Sequence, residues 1–244
     1  MKRKTDKLRP IPDSLIEEEG FSRQDFVREM SCTYDITVPQ ISYELKKQLD
    51  SGTIVRSGWG QYAFPRKRVY SWDYSKEAAS IAEELRKDYD GLDFQIFELR
   101  QLNEFMNHQI AHNAIFVYVE NDLVNFSFDT LWNMKPGKVL LKPGANQYFR
   151  YRQDDEIIVN RLPSETPKGH REPWKSRLEK VLVDVFTDKL VSSIVPEGEK
   201  EAILDGAFQN YLLDKGTMLR YAKRKGAEKK IAEVLEGLEM GATV

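Results

Sequence analysis

The chain has 244 residues, 41% hydrophobic and 31% charged, enough for two separate cores, and its formal charge of -2 is unevenly split. Residues 1–70 hold 13 basic and 10 acidic side chains, net +3, whereas residues 71–244 hold 24 and 29, net -5, so a basic reader and an acidic body are expected. The single cysteine, Cys32, excludes an intramolecular disulfide and a cysteine-built metal cage. No apolar run approaches the roughly 18 residues of a membrane span, so a cytoplasmic protein without a membrane partner is expected.

In chain order, Met1–Arg9 reads as a polar arm and Pro12–Glu19 as a short first helix. In Phe21-Ser22-Arg23-Gln24-Asp25-Phe26, Ser22 caps a second helix, Arg23 to Met30, Asp25 supplies the capping acid, and Phe21 can staple to Phe26. Cys32–Ile36 is the turn that follows. Thr37 and Gln40 form a T-x-x-Q capping box opening a third helix, in which Val38, Ile41, Leu45 and Leu49 recur as a buried stripe. Gln40, Ser42, Tyr43, Lys46 and Lys47 are left on its other faces. Gly52 stops the helix, and Thr53–Arg56 and Gln61–Phe64 read as two strands around the tip Ser57-Gly58-Trp59-Gly60.

Helix, helix, turn, helix, hairpin is the order of a winged helix-turn-helix, whose third helix, about 10–12 Å across, fits a major groove about 12 Å wide. From Thr37 to Tyr70 six basic residues face two acidic ones, Glu44 and Asp50. On this reading Lys46, Lys47, Arg56, Arg66, Lys67 and Arg68 neutralise phosphates, while Gln40 and Tyr43 read bases with Thr37 and Ser42 beside them. Trp59 packs on the sugar-phosphate edge. A winged helix that binds protein instead of DNA is the competing reading.

Past the closing run Pro65-Arg66-Lys67-Arg68, Ser75 caps a helix from Lys76 to about Lys87 with Ala78, Ala79, Ala82 and Leu85 inward, ended by Asp90-Gly91. Leu92–Phe97 alternates as a strand, Glu98–His108 reads as a helix, and the continuous apolar run Ala114–Val119 as a central strand. Asp122–Met134 is helical, Lys138–Lys142 and Glu156–Leu162 are strands, and Pro163–Pro173 is a loop. Helices are then expected over Trp174–Val195, Gly198–Leu213, Gly216–Lys225 and Ala227–Glu239. The fold class is α/β in the α+β sense: residues 1–70 a winged helix-turn-helix domain, residues 71–244 a mixed sheet with a helical C-terminal cap.

The wing Gly60-Gln61-Tyr62-Ala63-Phe64-Pro65, after Ile41-Ser42-Tyr43-x-Leu45-Lys46-Lys47-Gln48-Leu49, resembles the amino-terminal winged helix of the AbiEi family. Members of that family are the antitoxins of type IV, abortive-infection toxin-antitoxin systems of phage defence. Leu178-Glu179-Lys180-Val181-Leu182-Val183-Asp184 is similar to the segment in which that family sets a Glu, a basic residue and an Asp into an apolar helix. Lys180-Val181 stands where the family usually has Arg-Thr, which marks a divergent branch. The unit Phe94–His108, FQIFELRQLNEFMNH, resembles an uncharacterised bacterial subgroup near these antitoxins. The resemblance implies a transcriptional autoregulator that binds double-stranded operator DNA, inverted repeats before its own operon. It further implies a second domain that counteracts a nucleotidyltransferase-like toxin without requiring a stable complex with it.

Enzyme readings compete with this. Asp93, Glu98 and Arg100 around a strand are similar to the carboxylate set of a metal-dependent nuclease, but no close E-x-K unit is present. His108, His112 and Glu104 share a face only if one helix carries all three. Glu179, Asp184 and Asp188 fall on one expected long helix, where Lys180 and Asp184 form an i,i+4 ion pair; a functional acid cluster is the alternative to pairing and capping. Lys215–Lys230 carries Arg220, Lys223, Arg224, Lys225, Lys229 and Lys230, either a solvated helix face or a surface for a partner or nucleic acid. No catalytic residue, metal ligand or cofactor is assigned. A nuclease or nucleotide-handling enzyme guided by the winged helix, and a one-component ligand sensor, are the functional alternatives.

Overall fold

A computed structural model describes residues 8–16, 20–58, 60–64, 69–89, 91–169 and 172–241. Trp59, Arg66, Lys67 and Arg68 lie outside the described residues, as do Pro65, Asp90, residues 1–7 of the expected arm and residues 17–19 of the expected first helix. The chain divides into two compact units, Met1–Tyr70 and Ser71–Val244. Its class is α+β, and no helix among the described residues is long and apolar enough to cross a membrane.

The first unit runs α1 (Asp13–Ile16), β1 (Phe21–Ser22), α2 (Arg23–Thr33), α3 (Val38–Asp50), β2 (Val55–Gly58) and β3 (Gln61–Ala63). The capping box that opens α2 is reciprocal: Asp25 N donates to Ser22 Oγ at 3.2 Å and Ser22 N donates to Asp25 Oδ2 at 2.9 Å. Phe21 stacks on Phe26 at 5.9 Å between ring centres, the expected staple. The same Phe21 also opens a two-residue strand that pairs with Tyr62, so the sheet is three-stranded in the order β1-β3-β2. A pairing that exists only once the hairpin is in place has no local signature. α2 continues to Thr33 through Cys32, shortening the turn, and β2 starts two residues later than expected.

Phe21, Phe26, Met30, Ile41, Leu45, Ile54 and Tyr62 form the core of this unit, with Leu49 partly buried against it. Val38 does not join them. At the first helical position its side chain leans off the end of α3, where no turn lies below it, and it is 55% exposed. Gly52 adopts φ +71, and a Cβ there would stand 1.9 Å from Val69 Cγ2, so the stop after α3 requires glycine on both counts.

The second unit runs α4 (Lys76–Asp88), β4 (Phe94–Glu98), β5 (Ala114–Val119), α5 (Val124–Met134), β6 (Val139–Leu141), α6 (Ala145–Tyr151) and β7 (Glu156–Arg161). The helices α7 (Leu178–Thr187), α8 (Lys189–Ile194), α9 (Glu197–Asn210), α10 (Lys215–Arg224) and α11 (Glu228–Gly241) follow. The sheet order is β4-β5-β7-β6; β4 is antiparallel to β5, and β5, β7 and β6 are parallel. Strand alternation sends Ile96, Ile115, Val117, Ile157 and Val159 to one face, under Ala78, Ile81 and Leu85 of α4 and Val124 and Leu131 of α5. Phe97, Phe116, Tyr118 and Ile158 therefore face the other way.

The outer edge of β4 is closed by a later segment. Ile96 N donates to Trp174 O at 2.7 Å and Ser176 N donates to Ile96 O at 3.1 Å. Three expectations change here. Glu98–His108 is no α-helix but a short 3-10 helix, Leu99–Glu104, because Glu98 still belongs to β4 and the turn must tighten at once. The seven-residue α6 was not expected. The helix expected over Trp174–Val195 starts only at Leu178 and breaks at Asp188, whose side chain accepts from Leu190 N at 3.0 Å and Val191 N at 3.1 Å and so starts α8.

Candidate functional site

α3 presents its polar side to solvent. Gln40, Tyr43 and Lys46 are exposed, Ser42 is half-buried and accepts from Arg23 Nη2 at 3.1 Å, and Thr37 is exposed at the cap. Arg56 is exposed on β2 of the hairpin. Pro39 sits in the first turn, where its missing N–H would have had no partner anyway. The oxygen of Gln40 is occupied: Thr37 N donates to Oε1 at 2.8 Å and the Thr37 hydroxyl donates to it at 3.0 Å. Adenine readout by glutamine uses both the amide oxygen and the amide nitrogen. While the cap holds, Gln40 offers its nitrogen as a donor, which suits purine N7 or a base carbonyl.

Lys47 is less free than its position suggests. Its ammonium lies 3.4 Å from Glu44 Oε1, and Arg9 Nη1 approaches the same oxygen at 2.6 Å. Glu44 is buried, as is Gln48, whose Nε2 donates to Arg9 O at 2.7 Å, while the Tyr34 hydroxyl donates to Pro10 O at 2.8 Å. The backbone at Arg9-Pro10 is therefore strapped along α3, with Glu44 as its counter-charge. Nothing in the local pattern marks Glu44 as buried except its place beside Leu45 and four residues before Gln48.

In the second unit the acids separate in role. Asp184 is fully buried; its carboxylate accepts from Lys180 Nζ at 2.7 Å, Lys225 Nζ at 2.6 Å and the Tyr221 hydroxyl at 3.0 Å. Burial opposes its charge, yet the two lysines hold its carboxyl below the ordinary range. The Lys180 ammonium also lies 3.5 Å from the centre of the Tyr118 ring, a cation over an aromatic face in a dry interior. Burial pushes the hydroxyls of Tyr118 and Tyr221 well up. Asp188 caps α8, and burial together with nearby Asp184 raises its carboxyl. Glu179 turns elsewhere, to Arg177 at 2.5 Å and to Asp214 N at 3.3 Å. With every charge matched by a partner, this assembly anchors α10 to α7.

It also draws in the basic run near the C-terminus. Lys225 is bound to Asp184, Lys230 Nζ donates to Phe186 O at 2.9 Å, Arg224 pairs with Glu165 at 3.2 Å, and Arg220 Nη2 donates to Thr217 Oγ1 at 2.9 Å. Lys223 and Lys229 remain exposed.

Residues 40–240 match the model of a family of unknown function, DUF6577. The chain belongs to this family. No curated protein matches the chain. The DUF6577 match opens at Gln40 on α3 and takes in nearly the whole second unit, so the solvent face of α3 and the buried Asp184 assembly both lie within it.

The nuclease-like set of this DUF6577 chain is not assembled. Asp93 and Glu98 stand at opposite ends of β4, about 16 Å apart at 3.3 Å per residue. Asp93 pairs with Lys168 at 2.7 Å, and buried Glu98 accepts from Trp72 Nε1 and Ser75 N, each at 3.0 Å. Arg100 reaches Asp155 at 2.7 Å and lies 3.9 Å from Glu98, so these two of the set are brought together while Asp93 is not. His108 Nδ1 is 2.7 Å from Glu199, Glu104 accepts from the Tyr211 hydroxyl, and the 3-10 helix ends at Glu104, so the two histidines share no helix face. Among the described residues no group of three or more His, Cys, Asp or Glu side chains could hold a metal ion.

Proposed function

We propose that this DUF6577 protein is a cytoplasmic, DNA-binding autoregulator whose first unit acts as a winged helix on double-stranded operator DNA. The observation that carries the reading is the solvent face of α3, where Gln40, Tyr43 and Lys46 project from a helix fixed by its cap and by the apolar side opposite. The strand at Phe21–Ser22, three helices and a hairpin carrying Arg56 supply the frame such a reader uses. Lys46 and Arg56 meet phosphates, Tyr43 and the Gln40 amide meet base edges, and Lys47 supports the face through Glu44.

The second unit acts as the antitoxin of a type IV system, opposing a nucleotidyltransferase-like toxin. Support for that part comes from the likeness of Leu178–Asp184 to the AbiEi segment, and the Asp184 assembly gives that segment a structural task.

Titration of the full chain into a duplex from upstream of its own gene and into a shuffled duplex, at two salt concentrations, tests the DNA reading. Tighter, salt-sensitive binding to the native duplex is expected. Equal or absent binding would leave a protein-binding winged helix instead.

A further inference from the structure

The second unit is acidic overall, but its charges are not evenly mixed. From Lys135 to Gln153 five basic side chains, Lys135, Lys138, Lys142, Arg150 and Arg152, meet no acidic one. This stretch forms the turn before β6, the edge strand β6 itself and α6. Gln153 Nε2 donates to Gly137 O at 3.1 Å, which holds the chain just past α6 beside the turn that opens β6. The acids that follow are turned to other partners. Asp154 accepts from Asn113 N at 2.9 Å, Asp155 holds Arg100 and Asn113 at 2.7 Å each, and Glu156 is buried.

Lys135 pairs with Glu77 at 3.1 Å, whereas Lys138, Lys142, Arg150 and Arg152 are exposed. α6 packs inward through Tyr148 and leaves Phe149 47% and Tyr151 54% exposed on its two flanks. The Arg152 guanidinium lies 6.0 Å from the centre of the Phe149 ring. Exposed rings beside cations match unstacked bases on a phosphate backbone, whereas paired bases inside a duplex offer such rings no face. Exposed Asn146 and Gln147 on the same helix bring amides that can both donate to and accept from a ribose 2′-hydroxyl.

We propose that the β6 and α6 surface binds single-stranded RNA, with Phe149 and Tyr151 stacking on bases and Lys138, Lys142, Arg150 and Arg152 holding phosphates. Its residues all belong to the second unit, and the proposal does not depend on the duplex reading.

Fluorescence anisotropy of a labelled mixed-sequence RNA of about 12 nucleotides, titrated with the full chain at several salt concentrations, tests it. Phe149→Ala should weaken binding about tenfold, and Arg150→Ala should lower the slope of log affinity against log salt by about 0.7. Lys46→Ala should leave RNA affinity unchanged, and melting curves of the surface variants should overlay the parent's. RNA affinity untouched by Phe149→Ala and Arg150→Ala, or lost with Lys46→Ala instead, overturns the site. A DNA strand of the same sequence bound equally tightly overturns the choice of RNA. Polyglutamate that displaces the labelled RNA more effectively than unlabelled RNA of matched charge would identify an acidic protein surface as the partner and overturn the nucleic-acid reading. Failure of operator binding in the duplex titration leaves these outcomes unaffected.

Discussion

α3 and α7 are both amphipathic helices in which a lysine stands three or four residues from a carboxylate, yet they put their charges to opposite uses. On α3 the apolar side meets one small core and the other side faces water, so Lys46 and the amide nitrogen of Gln40 are available to a ligand, while Glu44 and Gln48 are drawn in. α7 is enclosed, packed against α9 and α10 with Lys180 lying over the sheet residue Tyr118, and every side chain from Leu178 to Phe186 is buried. A charge pair in a helical sequence becomes a surface or an anchor according to what later elements lay over it. Spacing alone does not distinguish the two.

The comparison breaks most visibly at Asp184. Asp184→Ala strands the buried Lys180 and the half-buried Lys225 and should cost about 3–5 kcal/mol of stability in a denaturant titration. Adding Lys180→Met should recover part of that loss, since Lys225 retains a route toward solvent. A smaller effect is expected from a second buried acid. Burial pushes the Glu156 carboxyl up to about 7, against a backbone hydrogen bond from Gln153 and the charge of Arg152. The folded chain therefore holds this proton more tightly than the unfolded one, whose group titrates near 4.5. Its contribution is complete below that value and is lost as pH rises through about 7, a decline of at most about 3 kcal/mol. Glu156→Gln should flatten that part of the stability profile, measured by melting across the range.

On the duplex reading proposed above, the losses expected on α3 are in recognition. Gln40→Glu keeps an acceptor for Thr37 and so preserves the cap, but removes the donor amide; preference for the operator over shuffled DNA should shrink by about 1–3 kcal/mol. Lys46→Ala should weaken both duplexes alike and reduce the salt slope by about 0.9, with stability changed by less than about 0.5 kcal/mol. A large stability loss at Lys46 would abolish the contrast between the two helices.

Features closed within a few residues are legible in the sequence. Ser22 with Asp25 and Thr37 with Gln40 both act at the helix starts where three-residue spacing places them, and the unbroken apolar run Ala114–Val119 is a central strand. What depends on distant chain is not legible. Nothing near Glu44 announces Arg9, nothing near Lys225 announces Asp184, and β1 exists only because Tyr62 returns to it. The break at Asp188 had a local signal, an Asp poised to cap, but apolar periodicity continues across it. α6 was similarly hidden: Pro143-Gly144 precedes it, yet a seven-residue helix leaves too short a pattern to read.

The closure of β4 by Trp174–Ser176 bears on how the chain is made. The partner of Ile96 emerges roughly 80 residues after it, and at about 5–20 residues per second the strand FQIFE waits some 4–16 s during synthesis with one edge open. A nascent chain halted before Trp174 would expose that edge beside a largely formed apolar sheet, the condition under which strands recruit one another. A chain stalled between β7 and the segment that covers β4 is thus expected to aggregate more readily than one stalled after Ser176.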